Sequence, residues 1–490
     1  MVLRLPDTAS PAQMRARAIL LALATALLLA TPTPASAAEG LRAAQSWQPF
    51  QAATARKKAR SSKEQASAGG DHRSRRPHLG NPRRPPRPAI LSVPVAPGQN
   101  LEAPGAAGRA FLTARQPAQA VPHQVLVVLD QNQSGDLAGE LARRHGLERK
   151  QSQLMPLLGG RCELYELRGN RSLGQVMAAL SRDPRFRLVQ ANFRYRAQGA
   201  LESATAQLPQ YALDKMALPQ AHELALGRDV VIAVIDSAID QSHPDLKGAV
   251  ALAFDAVGAP DRAVGFHGTA VAGIIRAQGA MAGAAPQASV LAVRAFRVRN
   301  AGEVAETTSW TLLRAIDWAV QNKANVLNLS FVGPKDDALH LALQAAAARR
   351  VIAVAAAGNN GPTAAPAFPA AYPEVIAVTA VDAKDRRYAE ANRGAYIAVA
   401  APGVDILAPV AKGKHSYLSG TSFATAYVSG VVALLLERNR DLDTNAVLAL
   451  ITAGAEDLGP AGRDEDFGAG RVNAFASLKA MERMSSDMHR

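Results

Sequence analysis

Beyond residue 228 the chain alternates short apolar runs with longer stretches of helical spacing. The run at 230–235 is rich in β-branched residues and closes on Asp236, and comparable runs occupy 289–295, 326–330, 351–356 and 375–381. Their apolarity is nearly continuous, which marks strands covered on both faces rather than strands with one face in water. Between them, apolar residues at helical spacing predict helices over 308–321 and 338–348, helices opening at His267 and at Ser422, and a last helix near 473–482. Strands and helices in alternation, joined by short right-handed connections, predict an α/β fold on a doubly wound, mostly parallel sheet. In such a sheet functional groups gather beyond the carboxyl ends of the strands, where Asp236 and Asn359 both stand.

A different rhythm, β-α-β-β-α-β, fills 121–200. Strands are predicted at 124–129, 161–167 and 186–195. Leu137 and Leu141 share one face of a helix over 136–146 that ends at Gly146, and Leu173, Val176, Met177 and Leu180 line a second helix. That order describes a small α+β domain preceding the doubly wound region at 205–482. Between the two, 198–207 is small and polar and reads as an exposed linker.

The start of the chain adds a targeting signal. Arg4, Arg15 and Arg17 precede an apolar run at 18–30, and Ala35-Ser36-Ala37 follows as a small-residue cleavage pattern. Residues 1–37 therefore read as a secretory signal peptide, too short in its apolar part for the roughly 20 residues that a spanning helix needs. An extracytoplasmic protein, secreted or periplasmic, is expected, with no transmembrane span. Cys162 is the single cysteine, so no internal disulfide can form; in its alternating run it reads as a small buried residue.

The net charge of +14 changes meaning once it is located. Residues 38–120 hold 14 Lys and Arg against four Asp and Glu, whereas 121–490 is nearly neutral. The basic segment is Pro-rich and without apolar periodicity, so it is expected to be disordered. It could contact anionic surfaces, but it lacks the interleaved aromatics that stack on bases, and no specific nucleic acid is expected.

Three short segments carry the candidate chemistry: Asp236 at a strand's mouth, His267-Gly268-Thr269 opening one helix, and Gly420-Thr421-Ser422 opening another. A hydroxyl nucleophile needs a base for its proton, and that base needs an acid to hold its tautomer. Each alone has a plainer reading: Ser422 as a helix N-cap, His267 as a structural histidine, Asp236 as a turn residue. Their order, Asp, His, Ser, is that of the subtilisin triad, and further blocks accompany it. These are Ser242-His243-Pro244-Asp245, Asn328-Leu329-Ser330-Phe331, Ala357-Gly358-Asn359-Asn360-Gly361, Phe368-Pro369 and Ala401-Pro402-Gly403. The chain resembles the subtilisin-like serine proteases over about 205–480.

The resemblance implies a serine endopeptidase acting on protein or peptide substrates through an acyl-enzyme, without a cofactor. Catalytic roles fall to Asp236, His267 and Ser422, and the oxyanion donor role to Asn359, with Thr421 supporting the same oxygen. Substrate would bind as an extended strand along Ser330, Phe331 and Val332, with Gly358 facing it. The 121–200 domain resembles the ferredoxin-like propeptide of that family, which would make it an intramolecular inhibitor. Self-cleavage of the precursor is then expected between 197 and 210.

Departures from the family pattern bear on specificity. Val332 stands where the family has Gly and should crowd the pocket rim, favouring small or unbranched side chains before the cut. Asp245 matches a family calcium ligand, but 276–285 lacks the oxygen-rich loop that would complete six to eight ligands, so no metal is expected there. Two other classes compete with the enzyme: a catalytically silent binding scaffold, and a surface-adhesive protein acting through its basic tail. An intact triad together with Asn359 favours the enzyme.

Overall fold

A computed structural model describes residues 119–130, 139–140, 143–168, 172–198, 200–202, 210–258, 265–297 and 305–488. The expected signal peptide and nearly all of the basic segment lie outside these residues. No described helix is long and apolar enough to cross a membrane.

The strands in chain order are β1 (Ala120–Asp130), β2 (Leu147–Met155), β3 (Gly160–Leu167), β4 (Phe186–Ala197), β5 (Ala200–Glu202), β6 (Val231–Asp236), β7 (Val250–Asp255) and β8 (Ser289–Arg294). They continue with β9 (Glu306–Thr308), β10 (Val326–Leu329), β11 (Phe331–Val332), β12 (Ile352–Ala356), β13 (Val375–Val381), β14 (Val399–Pro402), β15 (Ile406–Val410) and β16 (Lys414–Ser419). The helices are α1 (Leu173–Leu180), α2 (Tyr211–Lys215), α3 (Leu218–His222), α4 (Phe266–Arg276), α5 (Ser309–Gln321), α6 (Asp337–Ala347), α7 (Thr421–Arg438), α8 (Thr444–Gly454) and α9 (Ala474–Met488).

Seven strands form a parallel sheet in the order β14-β13-β12-β10-β6-β8-β7. From β6 the chain goes to the edge strand β7, returns to insert β8 between the two, then crosses back to add β10, β12, β13 and β14 on the other side. The order thus reverses between β6 and β10, and a crevice opens at their carboxyl ends. The strands at 231–236, 289–294, 326–329, 352–356 and 375–381 agree with the apolar runs to within a residue or two. The sequence pattern missed β7, an edge strand with Leu252 half exposed, and β14, whose Val-Ala-Ala-Pro carries little β signal. The capped helix α8 was missed as well; Asp443 accepts from the Ala446 N–H at its start.

Helix α7 is apolar on every side, and Thr421 through Leu436 are all buried. Such a helix belongs inside a core; it packs on α4 and across β10, β12 and β13. Its far end is held by Glu437, whose carboxylate accepts from the N–H groups of Leu226, Gly227 and Arg228 at 2.6, 2.5 and 2.9 Å. Burial opposes that carboxylate's charge, but the three amides and Arg228 bring its pKa below the usual glutamate value. The turn leading into β6 is thereby tied to the helix that carries Ser422.

The N-terminal part is an antiparallel sheet in the order β4-β1-β3-β2, with α1 packed on β4 and β1. This is the connectivity of a β-α-β-β-α-β unit. Within the expected helix at 136–146, residues 139–140 and 143–145 are helical and the others lie outside the described residues, except Gly146, which turns. Helix α1 spans the predicted 173–180 and is capped by Ser172, whose hydroxyl accepts from the Gln175 N–H at 3.2 Å while Gln175 returns a bond to the Ser172 N–H. Cys162 is fully buried, and burial pushes its thiol pKa far up, as for an inert core residue.

Gly430 offers a test of how tightly α7 is seated. In an open helix, replacing Gly by Ala stabilises by about 1 kcal/mol. Here a Cβ at 430 would stand 2.4 Å from the Ala284 Cβ and 3.3 Å from its Cα. Overpacking of about 1–3 kcal/mol should outweigh the helix propensity. Gly430→Ala is therefore expected to lower the urea midpoint of the Ser422→Ala protein; an unchanged or raised midpoint would show that the contact relaxes without cost.

Candidate active site

Asp236 closes β6 at the crevice and is almost wholly buried. Its backbone carbonyl accepts from the N–H groups of Ala295 and Phe296, and its Oδ1 from the Ser237 N–H at 2.6 Å, so the carboxylate is held from both ends. His267 is the second residue of α4. A Cβ at Gly268 would lie 2.4 Å from the Ser237 carbonyl oxygen, so glycine lets the helix start directly against the strand's end. The Ser237 hydroxyl accepts from the Gly268 N–H across that contact.

This brings the His267 Nδ1 within 2.8 and 2.9 Å of the two Asp236 carboxylate oxygens. On the other side of the ring, Nε2 lies 3.0 Å from the backbone carbonyl of Gln198. A carbonyl only accepts, so both ring nitrogens carry protons in this arrangement and the imidazole is charged. Burial opposes that charge, but the Asp236 carboxylate, its hydrogen bond and the Gln198 carbonyl together hold the pKa above the ordinary histidine value.

Ser422 is the second residue of α7 and is fully buried. Its hydroxyl donates to the Ser330 carbonyl at 3.0 Å rather than to His267, whose Nε2 is already engaged. The end of β10 is held against α7 by Asn328, which donates to the Ser429 hydroxyl and accepts from that of Ser330.

Asn359 follows β12. Its Oδ1 accepts from the Thr421 N–H at 3.1 Å and the Thr421 hydroxyl at 2.8 Å. A backbone N–H can only donate, so the amide orientation is determined and its NH2 faces away from Thr421. The Thr421 hydroxyl also accepts from the Gly358 N–H at 3.3 Å. Asn360, next in sequence, instead uses its N–H on the Asn392 side chain. Gly358 has φ +112, and a Cβ there would meet the Asn392 amide at 2.9 Å.

The chain's own strand β4 runs into the crevice. Its end pairs antiparallel with β11 on one side, Ala197 opposite Phe331 and Arg196 opposite Val332. On the other side Arg196, Tyr195 and Arg194 pair with Glu306, Thr307 and Thr308. The Gln198 N–H donates to the Ser330 carbonyl at 3.2 Å, and the Gln198 side-chain oxygen accepts from the Asn359 N–H at 3.0 Å. Past residue 199, β5 pairs with Ser419, Leu418 and Tyr417 of β16. The segment expected to be an exposed linker thus begins buried, because its main chain completes two strand edges that would otherwise lack partners.

All the residues singled out in the sequence, Asp236, His267, Ser422, Asn359, Ser330, Phe331, Val332 and Gly358, border this one crevice. No local pattern in the sequence connects Gln198 or Glu306 to this crevice, which both border. Asp245 does not fit a calcium ion: its Oδ1 accepts from the Ala280 N–H at 2.8 Å and its Oδ2 lies 2.6 Å from the His415 Nε2.

Residues 227–470 match the subtilase family model. Thermitase of Thermoactinomyces vulgaris is 35% identical over 279 residues, which cover 55% of this chain and 96% of that protein. Subtilisin E of Bacillus subtilis is also 35% identical, over 48% of this chain and 62% of its own length. In fold, the chain is similar to fervidolysin of Fervidobacterium pennivorans, a keratinolytic enzyme related to subtilisin, with a TM-score of 0.64 and 23% identity over 75% of this chain and 62% of that one.

The electrostatics of His267 carry a prediction. In the Ser422→Ala protein its imidazole should titrate above the unperturbed value of about 6.5. A group with a raised folded pKa adds stability that is fully present below the unfolded pKa and is lost as pH rises through the folded one. The downfield proton NMR signal of the Nδ1–H, followed from pH 5 to 9, reports the midpoint; a value below about 6.5 would contradict the arrangement.

Proposed function

Because the chain belongs to the subtilase family, we propose that it is an exported serine endopeptidase made as a precursor that cuts itself. Ser422 attacks the carbonyl carbon of the scissile peptide, and His267 takes the hydroxyl proton and passes it to the leaving amine. Asp236 holds the ring and stabilises its charged form. The Asn359 side-chain amide and the Ser422 N–H receive the oxyanion of the tetrahedral intermediate. Collapse expels the amine and leaves an acyl-enzyme, which water then hydrolyses with His267 as base. Attack requires Ser422 to turn from the Ser330 carbonyl toward the His267 Nε2, and that nitrogen to be free of its proton.

The observation that carries this reading is the Gln198 carbonyl at the His267 Nε2, on a strand paired to both edges of the crevice. It supports cleavage after Gln198, within the expected 197–210 window. It also supports the 121–198 unit as an inhibitor that keeps its cut end in the site.

Mass spectrometry of the purified protein provides the test. Wild type should lose its N-terminal part with a new terminus at Gly199, whereas Ser422→Ala should stay full length beyond signal removal. Maturation of Ser422→Ala to the wild-type size in a protease-free system would sink the self-cleavage reading.

The oxyanion assignment is tested separately. Asn359→Ala should lower kcat about 10²–10³-fold with little change in KM, since the amide acts mainly on charge formed in the transition state. Asn360→Ala should stay close to wild type; the reverse pattern would transfer the role to Asn360.

A further inference from the structure

Tyr195 is the fourth residue before the bond proposed to be cut, and its ring is fully buried. Phe331 meets it edge-on, with centroids 5.9 Å apart. Gly333 makes the room, since a Cβ there would stand 2.2 Å from a ring carbon of Tyr195. At the far end of the pocket lies Asp336, buried and placed as the N-cap of α6.

The Asp336 carboxylate receives four donors. Its Oδ1 accepts from the Leu339 N–H at 2.9 Å and the Gln190 amide at 2.8 Å. Its Oδ2 accepts from the Ser309 hydroxyl at 2.5 Å and the Tyr195 phenol at 2.8 Å. Burial and the neighbouring Asp336 charge keep that phenol protonated, hence a donor, by raising its pKa well above the usual tyrosine value. Two of the four donors, Gln190 and Tyr195, belong to the segment that self-cleavage would release. Once it leaves, the carboxylate keeps Leu339 and Ser309 as its protein donors, and a strand that covers it again without supplying a donor leaves a buried carboxylate short of partners, which is costly.

We propose that Asp336 makes this enzyme select substrate strands carrying tyrosine four residues before the cut, a reading that rests on the protease activity proposed above. A tyrosine returns the missing phenolic donor to Oδ2. A phenylalanine fills the same space but leaves that oxygen with Ser309 as its one donor, facing a ring edge. A site built to bind a hydroxyl discriminates strongly against the analogue that lacks it. The apolar walls admit either ring; the carboxylate at the end tells them apart.

The test uses self-processed enzyme and two fluorogenic peptides, Tyr-Arg-Ala-Gln and Phe-Arg-Ala-Gln, identical beyond the first residue. Wild type should show kcat/KM at least about tenfold higher for the tyrosine peptide. In Asp336→Ser, which keeps an N-cap for α6 but withdraws the oxygen facing the phenol, the ratio should fall to within about twofold. The ratio compares two substrates on one preparation, so a merely structural loss lowers both rates and leaves it unchanged. Equal rates in wild type, or a preference that persists in Asp336→Ser, overturn the assignment of Asp336 while leaving the protease reading intact. If Asp336→Ser does not fold, the wild-type ratio decides it alone: about tenfold or more in favour of tyrosine supports the assignment, and equal rates overturn it. No Ser422-dependent cleavage of either peptide would sink the activity itself, and this selectivity with it.

Discussion

The eighteen-residue helix Thr421–Arg438, with no polar face, is the member to which the other parts of the site are referred. A rod buried on all sides can shift only if its whole surroundings shift, because interiors are close-packed. Its start is held under Asn359 through Thr421, its middle is bonded to β10 through Asn328 and Ser429, and its end is held by Glu437 against the turn before β6. The position of Ser422 is therefore set along the entire helix. The strand bearing Asp236 and the strand leading to Ser330 are referred to the same rod, so Ser422, Asp236 and the strand edge keep one geometry.

Against this rigid centre, the N-terminal sheet supplies a strand that behaves as a ligand. Between β9 and β11, β4 satisfies main-chain donors and acceptors on both sides, a mode of recognition that depends little on side-chain identity. Side chains then distinguish one strand from another: Tyr195 reaches Asp336, and Gln198 reaches the Asn359 N–H. The same occupancy explains the resting state of the site. With a carbonyl at the His267 Nε2, the Ser422 hydroxyl donates to the Ser330 carbonyl instead. On the proposed reading this is a site at rest rather than one distorted beyond use: attack needs the Ser422 side chain to turn from Ser330 and the His267 Nε2 to be freed of its proton.

The buried carboxylates of Asp236 and Asp336 show how environment divides similar groups. Each is nearly inaccessible and each accepts from several protein donors. Asp236 faces an imidazole that can gain or lose a proton, so its charge shapes a titration. Asp336 faces hydroxyls and amides that stay neutral, so its charge serves recognition and helix capping.

Much of this protein follows from sequence alone. Continuous apolar runs ending in Asp236 and before Asn359 are enough for a covered parallel sheet, because burial on both faces leaves no room for polar alternation. Asp236, His267, Ser422 and Asn359 sit in short local patterns whose residue types are demanded by the chemistry. Edge strand β7 escaped because its partial exposure blurs the hydrophobic signal, and β14 because alanine and proline carry none. Only the tertiary structure decided that Gln198, in a polar stretch that reads as a linker, lies against His267. The same holds for Asp336, which joins Tyr195 from 141 residues away, and for the turning of Ser422 toward Ser330. Local patterns record which face of an element is buried; they carry nothing about which distant donor completes a given buried oxygen, and that pairing is settled only when the sheets pack.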